Sequence, residues 1–181
     1  MRVIAGELKG RRLVAPRGWK VRPTSDRVRE AIFSALGDVA GALVLDLYCG
    51  TGALAIEALS RGAAHAVLVD RDTRPALGNV ERLGLGERAE LVRSDVSRGL
   101  ASRAAEAARL RFDLAFVDSP YRLADRVGRE LDTHLPLLLA EGGRAVVESG
   151  AGRPLHIDSL ERLRQRRYGG TDVSFYGRSG S

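Results

Sequence analysis

Short apolar runs recur from Ala42 onward, at Leu43–Leu47, Ala66–Val69, Ala89–Val92, Phe112–Val117 and Arg144–Val147. Runs of this length predict strands buried on both faces. Between and after them, segments 53–61, 73–83, 96–109 and 122–135 suit helices, and Pro136 is expected to disturb the last. Gly142-Gly143 marks a turn before the fifth run. Alternation of this kind predicts a parallel sheet with helices on both faces, an α/β Rossmann-like fold. Residues 162–168 and 171–176, joined by Gly169-Gly170, predict a closing hairpin.

Ahead of the alternation, Arg2–Ala5 and Arg12–Ala15 are separated by a polar stretch with Gly6 and Gly10 near its bend, as in a β-hairpin. Pro16, Gly18 and Pro23 punctuate a loop, and Thr24 or Ser25 can cap a helix running to about Leu36. Val28, Ile32, Ala35 and Leu36 give that helix one apolar face. The predicted organisation is a hairpin extension over 1–21 and one sheet domain over 22–181. A chain of 181 residues can bury one substantial core and is short for two.

Charge changes this picture. Residues 1–29 hold nine basic side chains against Glu7 and Asp26, so they carry +7 of a net +6, and the rest sums to −1. A basic lobe on a neutral body is the footprint of a polyanion binder. Lys9 and Lys20 are the only lysines among 29 basic residues; the remainder are arginines, which fork onto phosphate and stack on bases. Arg11, Arg12, Arg22 and Thr24 are the candidate nucleic-acid contacts. One cysteine, Cys49, excludes an internal disulfide and suits a reducing cytoplasm. The first residues carry charge too early for a signal peptide, and the densest apolar stretch, Leu135 to Ala140, is far too short to span a membrane.

Residues 46–52 read Asp-Leu-Tyr-Cys-Gly-Thr-Gly at the end of the first run. Gly50-Thr-Gly52-Ala-Leu-Ala55 satisfies a loose glycine fingerprint for a ligand at a strand-to-helix turn. Asp46 sharpens it: a carboxylate there repels a pyrophosphate but accepts from an ammonium. S-adenosylmethionine carries an ammonium and no phosphate. Asp70, ending the second strand, is placed to accept from both ribose hydroxyls. Asp95, after the third, can accept from the adenine amine while the Val96 amide donates to a ring nitrogen. Tyr48 and Arg71 complete the candidate cofactor set. Helix capping by the three aspartates and a nicotinamide site are the competing readings.

Asp118-Ser119-Pro120-Tyr121 follows the fourth run, expected beside the first strand. An exocyclic base amine is a poor nucleophile because its lone pair is delocalised into the ring. Hydrogen bonds from its two N–H groups to Asp118 and to the Ser119 carbonyl favour a pyramidal nitrogen. Pro120 holds Ser119 extended, which fixes that carbonyl, and Tyr121 can stack on the base. Covalent C5 chemistry on a pyrimidine needs a cysteine in this loop, which has none. His65, His134 and His156 are scattered, so no metal site follows.

With these residues in hand, the chain resembles the bacterial small-subunit ribosomal RNA guanine-N2 methyltransferases of the RsmD type, from Met1 to about Tyr176. The resemblance rests on Met1-Arg-Val-Ile-Ala-Gly-Glu-Leu-Lys-Gly-Arg-Arg-Leu, on Arg22-Pro-Thr-Ser-Asp-Arg-Val-Arg-Glu-Ala-Ile-Phe, on the Asp46 loop and on Glu57-Ala-Leu-Ser-Arg-Gly-Ala. Ser119 departs from the family's Asp/Asn-Pro-Pro-Tyr/Phe, although a backbone carbonyl survives the change. The resemblance implies a Rossmann-like S-adenosylmethionine-dependent methyltransferase sheet and methyl transfer to N2 of one guanine in 16S ribosomal RNA. It also implies a substrate within an assembling small subunit and a cytoplasmic monomer. The rival functions are adenine-N6 methylation of DNA or RNA, and a non-catalytic RNA-binding module.

Overall fold

The computed structural model describes residues 1–16, 25–96, 100, 111–119 and 124–178, excepting the side chains of 124–126. Its elements are α1 (Asp26–Leu36), β1 (Leu43–Leu47), α2 (Ala53–Ser60), β2 (His65–Asp70), α3 (Arg74–Leu83), β3 (Ala89–Arg93), β4 (Phe112–Asp118), α4 (Ala124–Leu138), β5 (Leu139–Gly150), β6 (Glu161–Tyr168) and β7 (Thr171–Gly177). The strands form one seven-stranded sheet in the order β3-β2-β1-β4-β5-β7-β6. Strands β1 to β5 pair in parallel, and the closing hairpin enters with β7 antiparallel to β5. The expected neighbourhood of the first and fourth strands is present. The expected helix over 96–109 falls almost wholly outside the described residues.

Alternation along each strand divides the core into two layers. Val44, Leu68, Phe116, Val146 and Phe175 face α1, α2 and α3. Leu45, Val67, Ala115, Val147 and Tyr176 face α4 and the buried Val96 and Leu100. All eight residues of α2 are buried, which explains its all-round apolar composition. One side of α2 meets the sheet, and the N-terminal segment passes over it. Gly6, at φ +83°, crosses so closely that a Cβ there would stand 1.7 Å from the Ser60 carbonyl oxygen.

The N-terminal hairpin is shorter than its sequence suggests. Arg2 and Arg12 form one antiparallel bridge, with Val3 donating to the Arg11 carbonyl at 2.9 Å and Leu13 to that of Met1 at 3.1 Å. Gly10 also donates back to the Val3 carbonyl at 2.9 Å, and Glu7 donates to the Ser60 carbonyl at 2.8 Å, while four further amides turn to side chains of the sheet domain. Ile4 and Ala5 donate to the two oxygens of Glu57 at 2.7 and 3.0 Å, Leu8 to Ser60 Oγ at 3.0 Å, and Val14 to Asn79 Oδ1 at 2.9 Å. Val3 and Leu13 are buried in the α1–α3 layer.

Pro136 does not end α4, which continues to Leu138. A helical proline removes the bond to the carbonyl four residues earlier, here that of Asp132. Ser159 Oγ donates to that carbonyl at 2.8 Å, and the Ser159 amide donates to Asp132 Oδ1 at 2.7 Å. The Gly142-Gly143 turn lies inside β5, as an irregularity where β4 passes from Leu139 to Arg144 in its pairing.

Glu57 also receives Arg61 Nε at 2.8 Å and is itself buried, so it latches the N-terminal segment to α2. Glu57→Ala should lower unfolding free energy by about 2–4 kcal/mol, because two backbone amides lose a charged acceptor. A urea midpoint unchanged from wild type would show that the latch contributes nothing to stability.

Candidate active site

Paired strands place facing residues on the same side of a sheet. Asp46 lies opposite Leu68 on β2 and Phe116 on β4. Asp70 and Asp118, each two residues further along, therefore share its face at the carboxyl ends of their strands. Asp118 lies opposite Glu148 on β5. Four carboxylates from neighbouring strands thus converge on the α1–α3 side, where open α/β sheets bind ligands.

Asp46 is only 2% exposed. Among the described residues its carboxylate accepts from the Ala55 amide alone, at 3.1 Å. Ala55 is in the first turn of α2, whose cap residue Gly52 offers no side chain, so Asp46 caps that helix from the adjoining strand. Capping accounts for the hydrogen bond but not for the burial. Desolvation pushes the Asp46 carboxyl up to about 8; the Ala55 hydrogen bond opposes this, and nearby Asp118 and Asp70 add to it. A buried carboxylate so placed has the chemistry to receive a ligand cation.

The loop between β1 and α2 is backbone-strained where it turns. Tyr48 takes φ 60°, a left-handed conformation costly for a non-glycine residue, and Gly50 and Gly52 follow at 54° and 75°. Asp70 ties this loop to β2: its Oδ2 accepts from the Gly50 amide at 3.0 Å and its Oδ1 from the Asp72 amide at 3.1 Å. A Cβ on Gly52 would lie 2.9 Å from Leu68 Cδ2, so that glycine permits close packing as well as the turn. Burial, with Asp46 and Asp70 nearby, drives the Cys49 thiol well above its ordinary value, which suits packing rather than nucleophilic attack.

Asp95 and Val96 follow β3 as expected, with Val96 buried. Asp95 is engaged by Arg71, whose Nε donates to Asp95 Oδ2 at 3.0 Å and whose guanidinium also pairs with it through NH2. Arg71 therefore fixes the Asp95 carboxylate beside the ends of β2 and β3. Ser119 is buried directly after Asp118. Pro120, Tyr121, Arg22 and Thr24 lie outside the described residues, while Arg11 and Arg12 are exposed on the N-terminal segment.

Residues 1–177 match the family model described as Conserved hypothetical protein 95. The chain belongs to this family. A Bacillus subtilis member, YlbH, provisionally named an rRNA methyltransferase, is 37% identical over 191 residues, covering 99% of this chain and all of that protein. Escherichia coli Ribosomal RNA small subunit methyltransferase D is 38% identical over 126 residues, 67% of this chain and 61% of its own length. Among solved structures, Escherichia coli yhhF, provisionally titled a methyltransferase, superposes with TM-score 0.82 at 31% identity, covering 100% of this chain and 99% of that one. The RsmD-type resemblance and the Rossmann-like methyltransferase fold are borne out.

Within this family member, two site residues were not singled out from sequence. Glu148 is buried opposite Asp118; its signal is an acid closing the apolar Ala145-Val-Val run. Asn79 is buried on α3 and donates through Nδ2 to the carbonyls of Val14 and Thr51, at 3.0 Å each. It joins the N-terminal segment to the glycine loop, and an asparagine within a helical stretch gives no such signal.

The folded Asp46 value lies above its ordinary 3.8, so protonation favours the folded state. That contribution is complete below about pH 4 and is lost as pH rises toward 8. Asp46→Asn should therefore raise the melting temperature of cofactor-free protein at about pH 8.5, with the gain vanishing near pH 4. Parallel melting curves for variant and wild type across this range would exclude a desolvated Asp46.

Proposed function

We propose that this chain is an S-adenosylmethionine-dependent methyltransferase acting on the exocyclic N2 of a guanine in 16S ribosomal RNA, as a monomer and within an assembling small subunit. The observation that carries this reading is the register that sets Asp118 beside a buried, cation-seeking Asp46. The names of the Bacillus and Escherichia coli relatives support the RNA substrate. The cofactor, when bound, supplies a methyl group activated by a sulfonium.

Asp46 holds the cofactor ammonium, which restores the charge balance that burial denies it. Asp70 accepts from the ribose hydroxyls with lone pairs left over from its two loop amides. Asp95 and Val96 face the adenine end, with Arg71 fixing Asp95 and Tyr48, Gly50 and Gly52 shaping the loop. Asp118 and the Ser119 carbonyl orient the amine of the base, with Pro120 and Tyr121 completing the grip. The gain is one of positioning: two acceptors aim the nitrogen lone pair at the methyl group. Arg11, Arg12, Arg22 and Thr24 hold the RNA backbone.

Asp118→Ala should lose methyl transfer while cofactor affinity stays within a few-fold of wild type, as an interaction made mainly in the transition state requires. Near-normal turnover on RNA would remove β4 from catalysis. Mass mapping of guanines in 16S RNA from cells lacking this protein should reveal one missing N2-methyl group. An unchanged map, or methyl incorporation into DNA instead, would refute the RNA assignment.

Asp70→Ala should weaken cofactor binding about tenfold or more and also lower the melting temperature, because the Gly50 and Asp72 amides lose their acceptor. Calorimetry with unaltered affinity would leave Asp70 only its loop-tying role.

A further inference from the structure

The near-zero charge outside residues 1–29 conceals a local concentration. Residues 161–168 hold Arg162, Arg164, Arg166 and Arg167 against the single acid Glu161. They form β6, the edge strand of the sheet, and residues 161–167 are all exposed. Charge on an edge strand can serve simply to block strand pairing between molecules. Blocking does not require the two faces to differ in how their arginines are partnered, and here they do.

Arg167 grips Asp172 through Nε at 2.8 Å and NH2 at 3.2 Å, and Arg162 lies against the Tyr176 hydroxyl. Both pair opposite residues of the α4 side, Asp172 and Tyr176. Arg164 and Arg166 pair opposite Phe175 and Val173, which face the α1–α3 side. Among the described residues neither has an ion-pair or hydrogen-bond partner. The register continues without a break: Asp118 opposite Glu148, Glu148 opposite Val173, Val173 opposite Arg166. Arg166 therefore stands on the active-site face, level with Asp118 and three strand spacings away, about 14 Å. Arg164 stands two residues earlier on β6, level with Phe116 and about 7 Å from Arg166, comparable to the step between successive phosphates of an extended strand.

We propose that Arg164 and Arg166 form a phosphate-binding ladder that holds the RNA strand flanking the methylated base. The inference rests on the proposed RNA substrate and adds a second contact surface, across the active site from the N-terminal segment. Guanidinium groups suit it because they fork onto phosphate oxygens, and the acidic strand ends between the two surfaces repel phosphate.

The test measures binding of 16S RNA, and of small subunits from cells lacking this protein, at several salt concentrations. It compares wild type, Arg164→Gln/Arg166→Gln, the charge-reversed Arg164→Glu/Arg166→Glu, and Arg162→Gln from the opposite face. Each phosphate contact on a single strand contributes roughly 0.7 to the log–log salt slope. The double glutamine variant should therefore bind more weakly with a slope about 1.4 flatter, and charge reversal should weaken it further. Melting temperature and S-adenosylmethionine affinity should stay at wild-type values, and Arg162→Gln should bind like wild type. A double variant with wild-type affinity and slope would overturn the ladder, as would an equal loss in Arg162→Gln. Wild-type protein that binds and methylates the RNA in those cases would leave the function reading standing. Wild-type protein that does neither would overturn both.

Discussion

The pairing of Asp46 with Phe116 across β1 and β4 is the constraint on which the site depends. A slip of one residue would turn Asp118 to the α4 side, since side chains alternate along a strand. The register is held by apolar packing on both faces. On the site face, Phe116 meets Phe33 of α1 with ring centroids 5.6 Å apart, and Arg61 lies over Phe33 at 4.7 Å. Arg61 is in turn held by Glu57, the residue that fastens the N-terminal segment. The carboxylate row, the α1–α2 packing and the N-terminal latch are therefore one connected structure.

That connection bears on the basic N-terminal segment. It is not a free arm: Glu57, Ser60 and Asn79 take its backbone amides, and Arg88 reaches Glu7 at 2.6 Å. Its side-chain acceptors Glu57, Ser60 and Asn79 lie on α2 and α3, the helices that follow the glycine loop and β2, and Arg29 of α1 donates to the Arg2 carbonyl. Asn79 ties Val14 and Thr51 together directly. A segment so anchored offers Arg11 and Arg12 at fixed positions, which lowers the ordering cost of binding a polyanion.

Much of this was legible in the sequence because the relevant signals are local. Apolar runs gave β1 to β5, and glycine pairs gave the β6–β7 hairpin. Strand-end acids gave Asp46, Asp70 and Asp118, since a carboxylate closing a buried run needs a partner, whether a backbone amide or a ligand. What stayed hidden depends on distant partners. Pro136 survives inside α4 because Ser159 satisfies the carbonyl it frees. The hairpin is curtailed because its amides prefer Glu57 and Asn79. The role of Asp70 in tying the loop, and the sorting of the β6 arginines by face, require the pairing register, which no single stretch of sequence contains.

The electrostatics of the assembled face accord with the proposed RNA contacts lying at its flanks. Asp46, Asp70, Asp118 and Glu148 gather at adjoining strand ends, and Asp46 already resists ionisation because it is buried, with Asp118 and Asp70 nearby adding to the effect. A cationic cofactor relieves that repulsion, but a phosphate brought to the same spot would add to it. An RNA acceptor of the proposed reaction would therefore present an uncharged base edge to Asp118 while its backbone stays outside the acidic row. A base turned out from its neighbours meets this demand, at the cost of lost stacking. In the proposed reading, base stacking offsets part of that cost, and arginines on either side of the row keep the backbone clear of the carboxylates. In the proposed reading, the same acids that receive the cofactor thus favour a flipped base over a phosphate.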